Sequence, residues 1–179
     1  MITFVTCWYN FKAKFNKEIY YNWIDNMLSS VNNYNLVVYT DNNSYSLFQK
    51  YMKPNIKIII KDYNLFHNYC YNKNWESNHQ NNHLLNNAVD WKVNMLWSEK
   101  IHFVKDAYEE KYFDTEFYGW CDIGYFRNRH NDTSKENNAG VIRGMVVDEI
   151  TGKPKAYASI SILKNSIAFN NFKAPLDTH

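Results

Sequence analysis

Asp122, Gly124 and Arg127 close the stretch FYGWCDIGYFRN, residues 117–128, and they are residue types that a phosphate or metal site uses. A carboxylate holds a divalent cation, a guanidinium pairs with phosphate oxygens, and a glycine lets a ligand approach the backbone. The aromatic and apolar residues before them have the character of a buried strand, and a rigid strand is good support for such a constellation. The competing reading is a turn, because Asp and Gly are also common turn residues. Mn2+ or Mg2+ at Asp122 would stabilise charge on a diphosphate. The place of a second carboxylate is taken by Gly124, so there is no Asp-x-Asp pair, and Arg127 is expected to supplement or replace the metal.

Three other apolar runs also end in polar residues. TFVTCWY at 3–9 delivers Thr6 to Asn10, LVVYTD ends in Asp41, and IKIIIKD ends in Asp62. Continuously apolar strands alternating with helices predict a parallel sheet covered on its faces. In such a sheet the carboxyl ends of the strands share one edge, where ligands bind. Asp41 and Asp62 each have a turn reading as well.

The elements that must position these residues follow from period and punctuation. Asn16 caps a helix in which Ile19, Trp23, Ile24, Met27 and Val31 recur at helical spacing, and residues 44–52 form a short helix stopped by Pro54. Residues 63–87 have no clear period and read as a long irregular segment, functional or mobile. A strong helix follows, started by Asn87 with Asp90 in a capping-box-like pattern, with Val93, Trp97, Ile101, Val104 and Tyr108 as its core stripe. Lys92, Glu99 and His102 fall on another face, expected to be solvated. Lys92, in the first turn, is a candidate phosphate or substrate contact. His67, Cys70, His79 and His83 have spacings only loosely like those of a zinc site.

Residues 131–139 are polar and unpatterned and read as a linker. Residues 140–163 alternate apolar and polar around DEITGKP, which predicts an antiparallel hairpin with Thr151 and Gly152 in its turn, little packed on the first domain. The fold expected is therefore α/β over 1–130, followed by a β-rich tail at 140–179.

The chain has 179 residues, 45% hydrophobic and 18% aromatic, enough for one domain with a sizeable core. A formal charge of +2 without a basic block argues against nucleic acid. Three cysteines without a CxxC pair argue against a disulfide framework and point to a reducing, cytoplasmic setting. No basic n-region precedes the first apolar run, and no run approaches the roughly 20 residues of a membrane span. Sequons at Asn42 and Asn131 read as chance in so Asn-rich a chain. GxxxxGK and GxGxxG motifs are absent, which disfavours ATPase and dehydrogenase chemistry.

With these residues in view, TFVTCWYN, LVVYTDN, WKVNMLWSEKIHFVKDA and FYGWCDIGYFR, in that order over residues 1–130, resemble the HtrL/YibB family of glycosyltransferase-type proteins, which includes WlaTC-like members. The resemblance implies a GT-A-like (Rossmann-like) domain that transfers sugar from a nucleotide-sugar donor to a glycan, lipid or protein acceptor. It places Asp122 at the metal, and Thr6, Tyr9 and Asp41 on the donor-nucleotide side. The matching part stops near residue 130, so the GT-A domain is expected to be incomplete, without an acceptor half. The stretch GVIRGMVVDEITGKPKAYASISI is similar to the opening hairpin of carboxypeptidase-regulatory-like β-sandwich domains. The alternative function is a non-catalytic binding or assembly protein on a degenerate GT-A scaffold.

Overall fold

The computed structural model describes residues 1–127 and the backbone of two later strands. Four parallel strands form one sheet: β1 (Ile2–Cys7), β2 (Asn35–Thr40), β3 (Ile56–Ile60) and β4 (Phe117–Trp120), in the order β3-β2-β1-β4. Val5 stands between Val37 and Trp120 in the ladder, and Val38 opposite Ile58. β2 is buried along its whole length, which explains the apolar run Leu36–Tyr39 at its centre.

Helix α1 (Lys17–Ser29) begins where expected, with the Asn16 side chain accepting from the Ile19 amide. The short helix α2 (Tyr45–Phe48) runs on into a 3-10 turn (Gln49–Tyr51) before Pro54. Both helices cover one face of the sheet, where Trp8, Ile24, Met27, Leu28, Val38 and Phe48 pack together.

The opposite face is covered by α4 (Trp91–Glu109), and here the structure corrects the expected pattern in two ways. Asp90, not Asn87, is the N-cap, and its carboxylate accepts from the Lys92 amide. The buried positions are Val93, Met95, Glu99, Phe103 and Ala107, while Trp97 and Tyr108 are 54% and 57% exposed. Both stripes have helical spacing. Phe103 wins because its ring stacks at 4.7 Å on Tyr39 of β2. Residues 63–87 are also not irregular throughout. They hold 3-10 turns at Tyr63–Leu65 and His67–Tyr71 and the helix α3 (Asn72–Gln80).

β4 differs from the expected buried strand: it is a four-residue edge strand and only partly covered. β5 (Gly140–Val147) and β6 (Pro154–Ile162) pair antiparallel in a separate two-stranded sheet. The expected linker at 131–139 and the turn with Thr151 and Gly152 lie outside the described residues. Among the described residues no helix is long and apolar enough to cross a membrane.

Candidate functional site at the carboxyl edge

Parallel pairing throughout puts Asn10, Asp41, Asp62 and Asp122 after the carboxyl ends of their strands, on one edge of the sheet. The chain builds outward from β1 to β3 and then returns to the other side of β1 for β4. The crevice at such a reversal is where open α/β sheets bind ligands, because the flanking loops diverge to opposite faces. Asp122 stands at that point, beside the end of β1.

Among the described residues its carboxylate bonds side chains rather than the backbone of the turn. Oδ1 accepts from Lys100 Nζ of α4 at 2.5 Å and from Trp120 Nε1 at 3.1 Å. The turn is closed by other groups: the Tyr125 amide donates to the Asp122 carbonyl, and Asn26 Nδ2 of α1 donates to the Phe126 carbonyl, both at 2.9 Å. The Asp122 side chain is 62% exposed and Lys100 30%. The Trp120 ring, stacked 6.2 Å from Phe103, fixes the indole donor, and Lys100 Nζ lies 5.4 Å from the same ring.

Gly124 has a packing reason. A Cβ there would meet Trp23 Cε3 at 2.9 Å, inside contact distance, so the residue lets the turn lie against α1. Arg127 is bound to the same place: Nε donates to the Gly124 carbonyl at 2.9 Å, and the guanidinium lies 4.6 Å from the Trp23 ring centroid. It therefore stands on the α1 side, whereas Lys100 approaches Asp122 from α4.

The remaining candidates are absorbed by the fold to different degrees. Asp41 Oδ1 accepts from the Ser44 amide at 2.7 Å, a local turn contact, and Asp62 Oδ1 accepts from the Asn42 amide at 3.3 Å, which ties the loop after β3 to the loop after β2. Tyr9 is 4% exposed, between Phe11 and Phe103 and against Phe66, and donates to the Lys61 carbonyl at 2.8 Å. Its ring has no face for a base, and burial pushes its phenol pKa up. Thr6 is fully buried, with Oγ1 lacking a hydrogen-bond partner among the described residues. Lys92 pairs with Asp90 at 3.2 Å over the rings of Phe11, Tyr63 and Trp91. The loose zinc pattern is not assembled: His67 bonds Asp106, His79 lies by Asn94, and Cys70 donates to the His67 carbonyl.

The sequence reading missed Lys100 and Asp106, and it expected Glu99 on a solvated face, where the structure buries it. Glu99 is fully buried, accepting from the His67 and Asn68 amides and from Asn68 Nδ2 at 2.6, 3.1 and 2.9 Å. Lys61 Nζ lies 3.7 Å from it and 2.7 Å from Asp106. This network fastens the residues after β3 to α4. The Met95-Glu99-Phe103-Ala107 spacing, which puts Lys100 on the flank of the buried face, was present in the sequence but competed with the Trp97 stripe of the same period.

A divalent cation such as Mn2+ or Mg2+ does not fit the described donor set at Asp122. Hard cations need several oxygen ligands, yet the carboxylate stands alone and one oxygen already holds an ammonium and an indole. Among the described residues no group of three or more His, Cys, Asp or Glu is placed to hold a metal. Burial, with the Asp122 charge adding to it, pushes the neighbouring Cys121 thiol up to about 12.

Comparisons with protein-family profiles, curated proteins and solved structures return no match. The α/β sheet and the geometry at Asp122 therefore carry the functional argument.

Proposed function

We propose that the chain is the donor-binding part of a glycosyltransferase, taking a nucleotide-sugar and transferring its sugar to a hydroxyl of a glycan, lipid or protein. The observation that carries this is the exposed Asp122 carboxylate, held by Lys100 and Trp120 at the strand-order reversal. In the reaction the bond from the anomeric carbon to the diphosphate breaks, and its electron pair leaves on the diphosphate. The acceptor oxygen forms the new bond and releases its proton to water. Such a step is accelerated by positive charge fixed at the departing oxygens and by groups that orient the sugar. Asp122, with a partly solvated carboxylate, accepts from donor hydroxyls and orients them. The resemblance to the HtrL/YibB family supports the same chemistry from the sequence side.

A second reading, a binding or assembly protein on this scaffold, is favoured by the internal contacts of Asp41, Asp62, Lys92 and Arg127. The test is direct. The full chain is incubated with UDP-, GDP-, CMP- and dTDP-sugars and a mixed glycan and lipid acceptor panel, following release of free nucleotide and binding. Acceptor-dependent release supports transfer; binding without release assigns the scaffold reading; neither binding nor release of any donor sinks the nucleotide-sugar reading.

A further inference from the structure

We propose that the cation meeting the donor's diphosphate is Lys100 itself, in the place where the sequence reading expects a divalent metal. The inference rests on the nucleotide-sugar reading of the site and names its phosphate-binding group. An ammonium has three N–H donors, and Lys100 is shown spending one, on Asp122 Oδ1. Its side chain is 30% exposed, so it is within reach of solvent beside Asp122. Asp122 and the Trp120 ring fix its position. Lysine binds phosphate as a point charge and needs no planar pairing geometry, which suits a diphosphate arriving from solvent.

A metal at Asp122 would meet that same ammonium within hydrogen-bond reach of the one carboxylate placed there among the described residues, and like charges so close oppose each other. A diphosphate is attracted to the ammonium and repelled by the Asp122 carboxylate, so its oxygens meet Lys100 rather than Asp122, whose oxygens are left for uncharged sugar hydroxyls. Asp122 is then a positioning residue for Lys100 as well as a contact for the sugar.

Isothermal titration of the full chain with UDP, GDP, CDP and dTDP, each in EDTA and in Mn2+, tests this on wild type, Lys100→Met, Lys100→Arg and Asp122→Asn. The preferred nucleotide is expected to bind wild type with affinities within about twofold in the two conditions. Lys100→Met is expected to lose about tenfold or more in EDTA, the cost of a charged hydrogen bond, and Lys100→Arg to recover part of it. Melting temperatures report whether the variants fold, and the wild-type comparison of EDTA with Mn2+ stands without them. Binding that requires Mn2+ and ignores Lys100→Met overturns the inference while leaving the nucleotide site. No binding of any nucleotide in either condition overturns both.

Discussion

Asp122, Gly124 and Arg127 are three neighbours with three different jobs. Asp122 holds an ammonium, Gly124 makes room for Trp23, and Arg127 lies on that Trp. Asp122→Asn is therefore expected to change stability by no more than about 1 kcal/mol, as for an exposed ion pair, while lowering nucleotide affinity; paired melting and titration measurements check both. Gly124→Ala is the opposite case, because the new methyl presses on a buried ring, and a loss of about 1–3 kcal/mol in urea denaturation is expected with the Asp122–Lys100 pair intact. Glu99→Gln should cost about 3 kcal/mol, because Lys61 loses a partner charge and an amide donor is turned toward backbone N–H groups. Chemical denaturation again measures it.

At the scale of elements, α4 bears most of the organisation. It covers the sheet with Met95, Phe103 and Ala107, delivers Lys100 to β4, and delivers Glu99 and Asp106 to the segment after β3. Two substitutions on this helix separate the stripe read from the sequence from the stripe that packs. Phe103→Ala is expected to destabilise by about 3–5 kcal/mol, since it removes a ring in contact with Tyr9, Tyr39, Phe66 and Trp120. Trp97→Gln is expected to stay within about 0.5 kcal/mol. Equal losses in thermal or urea unfolding would contradict the assigned helix face.

For the whole molecule, acid stability should follow the network between β3 and α4. Burial pushes the Asp106 carboxyl up, but hydrogen bonds and charge from Lys61 and then His67 outweigh it and hold the carboxyl below its ordinary range. Its folded pKa is depressed, so its stabilisation is fully present above the unfolded value of about 3.9 and is lost as pH falls through the folded value. Unfolding free energies measured from pH 6 to pH 2 should therefore fall less steeply below pH 4 in Asp106→Asn than in wild type. Much of this architecture was readable in the chain: β1, β2 and β3 as short runs rich in apolar and β-branched residues, α1 from Asn16 and its period, and the common edge from the alternation of strands and helices. Those features are local, written in neighbouring residues. The orientation of α4 was not readable, because Trp97-Ile101-Tyr108 and Met95-Phe103-Ala107 both recur at helical spacing, and packing on Tyr39 and Trp120 selects between them. The partners of Asp122 and Glu99 were equally hidden. Lys100 lies 22 residues from Asp122, and the amides that meet Glu99 lie 31 and 32 residues from it. Charges so far apart in the chain become one site only when the sheet order and the seat of α4 bring them together.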